Sequence, residues 1–369
     1  MKVTFPHMGN QYMATKVLLD ELNVENILPP ECSKDTLEIG TKYSPESICL
    51  PLKINIGNYI ESIRQGADTI LISGSCGPCR FGYYSIQQKE ILSELGHDLN
   101  FILFDPPQGD YKTFLGRIFQ LTGTKNPYKI IRALAKGTKI LYQIDALDDL
   151  AYYKRPRQKQ IGEVDFYLEK LHKEIRNAKG YHEVSQLIQK TRDQVMTIEE
   201  DPNKEIIKVG IVGEIYTIIE PFVNLNVERK LGEMGVEIEK SLKVSRWLTE
   251  HLYLHPLGIT LEKEITEAAK PYMKTMIGGH ARETIGYSVK FAKEGFDGII
   301  QIYPFTCMPE IVAQSIMPTI EKDFDIPYLC FIVDELTGDA GYTTRLEAFV
   351  DLLKRRREMK RDEKLLSGY

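Results

Sequence analysis

The chain lacks a basic excess. Its 47 Lys and Arg stand against 52 Asp and Glu, a formal net charge of −5, whereas a surface that tracks phosphates needs the opposite sign. No nucleic-acid partner is expected. Long apolar runs are missing too: no window approaches the roughly 18 apolar residues of a membrane span, and the opening Met1-Lys-Val-Thr-Phe-Pro-His7 has no apolar stretch of the signal-peptide kind. The expectation is a cytoplasmic protein with no membrane contact. Cysteine is scarce, six in 369 residues, and in a reducing compartment these are expected as free thiols, redox centres or metal ligands rather than a disulfide frame. No Gly-x-x-x-x-Gly-Lys-Ser/Thr phosphate loop occurs, which excludes the common strand-to-helix ATP cradle.

What is present is enough apolar sequence, 43%, for more than one core. Residues 1–110 alternate between strands and helices: strands at Lys2–Phe5, Asn26–Leu28, Thr69–Ser73 and Asn100–Phe104, and helices at Gln11–Leu22, Lys53–Arg64 and Tyr84–Leu95. Such alternation predicts βαβ units and a mostly parallel sheet. Residues 111–205 turn to helical periodicity, with Leu147, Leu150, Val164, Leu168, Leu171, Ile175 and Leu187 at three- and four-residue steps. His172 and His182 fall there among Lys and Glu and read as surface residues. From 206 to 369 the α/β pattern restarts in the same order. Lys208-Val-Gly-Ile-Val matches Lys2-Val-Thr-Phe-Pro, Glu294-Gly-Phe-Asp297 matches Gln65-Gly-Ala-Asp68, and Tyr328–Asp334 matches Asn100–Asp105. The fold class read from this is α/β: two similar Rossmann-like lobes, doubly wound and mostly parallel, with a helical insert and a cleft between them. The basic run Lys354–Arg361 reads as a solvated last helical turn.

Two predicted strands deliver cysteines. Thr69-Ile-Leu-Ile-Ser-Gly-Ser runs into Cys76-Gly-Pro-Cys79, and Gly298-Ile-Ile-Gln-Ile-Tyr-Pro-Phe-Thr runs into Cys307-Met-Pro-Glu310. In open α/β sheets, ligands bind outside the carboxyl ends of the strands. Cys76-Gly-Pro-Cys79 has the form of a thioredoxin active site, whose helix N-terminus lowers the thiol pKa. Against that, Ser75 stands where thioredoxins have tryptophan, and Ile326-Pro-Tyr-Leu, the nearest match to their cis-proline strand, lies in the other lobe. The metal reading takes Cys49, directly before a helix, with Cys79 and Cys307, two of these thiols flanked by prolines that stiffen the turn. A closed zinc site would want a second Cys/His knuckle, so scattered single cysteines suit an iron–sulfur cluster better. Cys76 and Cys32 are further candidate ligands, and Cys330, in mid-strand, reads as a core thiol.

Phe5-Pro-His-Met-Gly-Asn10, Thr36-Leu-Glu-Ile-Gly40, Tyr43-Ser-Pro-Glu46, Cys49-Leu-Pro, Lys53-Ile-Asn-Ile-Gly-Asn58, Gly77-Pro-Cys-Arg-Phe-Gly-Tyr83, Glu220-Pro-Phe-Val-Asn224, Gly278-Gly-His280, Pro304-Phe-Thr-Cys-Met-Pro-Glu310 and Asp334-Glu-Leu-Thr-Gly338 together resemble the acyl-CoA dehydratase activase-related proteins, of the 2-hydroxyacyl-CoA dehydratase and benzoyl-CoA reductase subunit superfamily. The resemblance implies a [4Fe-4S] cluster between two α/β lobes, on Cys49, Cys79 and Cys307, with one iron open to an exogenous ligand. It implies an ATP-dependent activase as electron donor, an acyl-CoA thioester as substrate class, and a subunit that assembles with itself or with a partner subunit. A related branch holds a double-cubane cluster on six cysteines. Lys53, Arg80, His7, His280 and Glu310 adjoin the strand ends or cysteine loops and are candidates for tuning the cluster. Two other function classes stand beside this one: a thiol-disulfide oxidoreductase using Cys76 and Cys79, and a non-catalytic partner of the activase.

Overall fold

A computed structural model describes residues 1–72, 79–104, 111–254 and 259–367. It contains two all-parallel sheets. The first has the order β1-β2-β3, from Val3–Thr4, Thr69–Ile72 and Asn100–Leu103. The second has the order β5-β4-β6-β7, from Ile207–Gly213 (β4), Val236–Lys240 (β5), Gly298–Pro304 (β6) and Tyr328–Val333 (β7). β2 and β6 are buried along their whole length, as expected of parallel strands covered on both faces. Asn26–Leu28, expected as a strand, contributes one bridge, Val3 to Asn26. Asn26 instead turns its side chain to Asp20 and to the Val24 carbonyl, a local bond that competes with a ladder.

The helices are α1 (Tyr12–Leu22), α2 (Lys34–Tyr43), α3 (Leu50–Arg64), α4 (Tyr84–Glu94), α5 (Tyr111–Thr122), α6 (Pro127–Lys154), α7 (Glu163–Ile175), α8 (Gly180–Met196), α9 (Ile215–Ile219), α10 (Val227–Glu233), α11 (Val244–Leu248), α12 (Lys263–Ala269), α13 (Ala281–Lys293), α14 (Met308–Phe324) and α15 (Asp339–Ser367). Among the described residues no helix is long and apolar enough to cross a membrane. The chain forms two compact units. Unit 1 holds Met1–Leu147, Glu169–Arg192 and Lys243–Leu261, and unit 2 holds Asp148–Leu168, Asp193–Leu242 and Glu262–Tyr369. The helical stretch 111–205 is thus shared between the units, and of its periodic residues Leu147, Val164, Leu171 and Ile175 are buried. His172 is held by Tyr12, whose hydroxyl lies 3.0 Å from its Nδ1.

The repeat seen in the sequence reaches into the backbone. In unit 1, Gly66 at φ +97° lets the chain turn into β2, and Asp68 accepts the Lys2 N–H at 2.7 Å. In unit 2, Gly295 at φ +78° plays the same part before β6, and Asp297 accepts the Lys208 N–H at 2.8 Å. Positive φ is the reason for glycine at both places.

The basic run 354–361 is not the last turn of its helix, because α15 continues to Ser367. Arg357 bonds Asp297 at 2.7 Å and the Ile206 carbonyl at 2.6 Å, and Arg356 and Lys360 pair with Asp325. These cations bind α15 to the loops before β6 and β7.

Candidate functional site

Three of the sequence-predicted ligands share one local geometry. Cys49 caps α3 at φ −73°, ψ 152°; Cys79 caps the single 3-10 turn Arg80–Tyr83 at φ −71°, ψ 137°; Cys307 caps α14 at φ −73°, ψ 96°. None uses its side chain as a cap. Pro51 and Pro309 occupy the first turns of α3 and α14, where a missing N–H costs nothing. In each case the cysteine carbonyl accepts a first-turn N–H: from Leu52 at 3.1 Å, Gly82 at 3.2 Å and Ile311 at 3.0 Å. The peptide is fixed by backbone bonds and not by the thiol. None of the three is in a disulfide, and all are half-buried.

In unit 1 the Cys49 and Cys79 segments are tied together. Arg80 Nη1 donates to the Ser47 carbonyl at 3.3 Å, and Lys53 Nζ, almost wholly buried, donates to the Glu46 carbonyl at 3.1 Å. Two cations therefore brace the loop that leads into Cys49. Tyr84, buried at the start of α4 with its ring 5.3 Å from Phe81, brings its hydroxyl against the Cys49 sulfur. Cysteine sulfurs at helix starts, one of them against a hydroxyl donor, are a chemically suitable donor set for an iron–sulfur group. Cys76 lies outside the described residues.

α3 is positioned by α2, which the sequence reading missed. Ser33 and Thr36 form a capping box, and the two helices meet backbone to backbone. A Cβ on Gly40 would stand 1.8 Å from the Lys53 carbonyl oxygen, and one on Gly57 2.0 Å from that of Thr36. Cys32, one residue before the cap, belongs to another neighbourhood. Its sulfur is 3.7 Å from His7 Nδ1 and 3.6 Å from Asn58 Oδ1.

In unit 2, Thr306 precedes Cys307 at φ +68°, an unfavourable conformation for a β-branched residue and a form of strain that gathers at functional sites. His280 caps α13 after Gly278 and Gly279, both at positive φ. A Cβ on Gly279 would lie 2.8 Å from the Pro309 ring, so this turn packs on the start of the Cys307 helix.

Glu310 is more than a helix-start charge. It is buried, accepts from Thr284 Oγ1 at 3.0 and 3.1 Å, and accepts from Gln301 Nε2 at 2.8 Å. Burial pushes its carboxyl up to about 7 despite those bonds. Glu214, at the end of β4, is raised by burial as well, although Thr217 and the Tyr216 and Thr217 N–H groups bond it. Gln301 in turn accepts from the Tyr328 hydroxyl. Tyr328 and Tyr303 also bond the Cys330 thiol, which burial raises overall. Cys330 is in mid-strand as expected, but half-buried on the edge strand and within a polar network.

Sequence reasoning did not find Tyr84, Asn58, Thr284 or Gln301 as site residues. Asn58 was visible as the end of Lys53-Ile-Asn-Ile-Gly-Asn58; the others meet their partners from 26 or 35 positions away or across strands, which no local pattern records. A comparison of the chain with models of protein families and with curated proteins gives no match.

Proposed function

We propose that this chain is an iron–sulfur protein of two Rossmann-like, doubly wound lobes, with a [4Fe-4S] cluster held by Cys49, Cys79 and Cys307. In this reading it accepts a low-potential electron from a separate ATP-dependent activase and uses it in reductive or radical chemistry on an acyl-CoA, or passes it on. The observation that carries the reading is the shared geometry of the three thiols, each at a helix start in extended backbone and each spared from capping. The motif resemblance and the parallel sheets support it.

A cluster bound there supplies one-electron chemistry and, on three cysteines, one iron open to an exogenous ligand. The protein's own residues hold and tune it. Lys53 and Arg80 fix the Cys49 loop, and Tyr84 offers a hydrogen bond to Cys49. On the Cys307 side, Glu310 anchors the first turn of α14 to β6 through Gln301, and the strained Thr306 aims the following thiol.

Anaerobic purification followed by iron and sulfide analysis tests the proposal. About four of each per chain, with a paramagnetic signal after reduction, is the expected result. A colourless chain with a reactive dithiol would overturn it in favour of thiol-disulfide exchange. An intact cluster indifferent to thiols, acyl-CoA and reductants would favour a non-catalytic partner of the activase.

A further inference from the structure

Away from the three capping cysteines, unit 1 gathers three donors of different kinds. Cys32 Sγ lies 3.7 Å from His7 Nδ1 and 3.6 Å from Asn58 Oδ1. Each donor is held independently. Asn58 is fully buried on α3; its Nδ2 donates to the Pro30 carbonyl at 3.3 Å and its Oδ1 accepts the His7 N–H at 3.3 Å. Turning the amide over would break both bonds, so the oxygen is fixed toward the sulfur. His7, buried, stacks on Tyr12 with ring centroids 5.5 Å apart. Cys32 is clamped between Pro30 and the capping box that begins at Ser33.

We propose that Cys32 Sγ, His7 Nδ1 and Asn58 Oδ1 form a mononuclear site for a borderline-soft divalent cation of the zinc class. Metal bonds of about 2.3 Å to sulfur and about 2.1 Å to nitrogen or oxygen, at a tetrahedral angle, put the donor atoms about 3.6 Å apart. The observed 3.7 and 3.6 Å match that spacing. The amide oxygen has a second lone pair beyond the one that takes the His7 N–H. Thiolate plus imidazole is a donor set that suits zinc. The site does not depend on the iron–sulfur reading.

The test is calorimetric titration of the anaerobically purified full chain with Zn²⁺, with Co²⁺ absorption in parallel, for the wild type, Cys32→Ser, His7→Gln and Cys79→Ser. The expected result is one equivalent of Zn²⁺ and a sulfur-to-cobalt charge-transfer band, both retained in Cys79→Ser. Cys32→Ser and His7→Gln each weaken that equivalent at least about 100-fold, beyond the 10–100-fold typical of outer-sphere partners. An equivalent that survives Cys32→Ser, or that disappears in Cys79→Ser, overturns the proposal, as does a wild type that binds neither ion. If iron is absent but the Cys32-dependent equivalent is present, the cluster reading fails and this one stands.

Discussion

In unit 1 the strands run β1-β2-β3, and the thiol loops beyond them are braced by Lys53 and Arg80. In unit 2 the matching strands run β4-β6-β7, and the charged groups near the start of the Cys307 helix include the buried Glu310 and the half-buried Glu214. The backbone device before β2 and β6 is the same, a glycine at positive φ and an aspartate on the lysine N–H of the neighbouring strand. The repeat therefore preserves what backbone geometry demands and lets the polar chemistry diverge. Unit 1 braces the loop before Cys49 with two cations. Unit 2 offers a carboxyl, Glu310, that can hold a proton near neutrality.

The largest test of this contrast is ligand removal. Under the proposed function, Cys49→Ser, Cys79→Ser and Cys307→Ser each abolish cluster assembly, while Cys330→Ala keeps it at a packing cost of about 1 to 2 kcal/mol. Iron analysis decides; full occupancy in Cys307→Ser would confine the ligands to unit 1.

Next comes Glu310. Its folded-state value of about 7 lies above its ordinary 4.5, so between these the native state keeps a proton that the unfolded chain has released. Stability falls as pH rises through that window, by about 3 kcal/mol at most, and is flat below and above. Glu214 slopes the same way, and the nearby Glu283 charge adds to the rise at Glu310. Glu310→Gln removes its share of the slope. Urea unfolding across pH 4.5–8 measures it, and an unchanged profile in the variant would mean that Glu310 is ionised throughout.

The smallest effect compares the twin aspartates. Asp297 also accepts from Arg357 and is mostly buried, whereas Asp68 is half exposed. Asp297→Ala is expected to cost about 2 kcal/mol and Asp68→Ala under about 1. Equal costs would show that the shared backbone bond outweighs the ion pair.

Fold and site were unequally legible. β2, β3, β6 and β7 announced themselves as apolar β-rich runs, and the repeat was readable from Gly66/Asp68 against Gly295/Asp297. α2 was hidden because the residues it buries are Thr36 and Gly40 and not apolar side chains; it is held by the capping box and by contact with α3. The capping positions of Cys49, Cys79 and Cys307 could be foreseen from the strand-to-helix changes around them. Glu310 could be foreseen as a helix-start residue but not as a buried one, because Thr284 and Gln301 reach it from other elements. The contact between Tyr84 and Cys49 depends on how α4 lies on α3, which only tertiary packing decides.

The crossing of α2 and α3 at Gly40 and Gly57 has a mechanical consequence. With the backbones this close at both glycines, little compressible material is left to absorb a displacement, so the helices shift as one piece. One end of that piece carries Cys32, and the start of its second helix carries Cys49. Residues 33–64 are then expected to open together, as a single cooperative unit in amide hydrogen exchange, and an ion seated at Cys32 would slow exchange as far away as the first turn of α3.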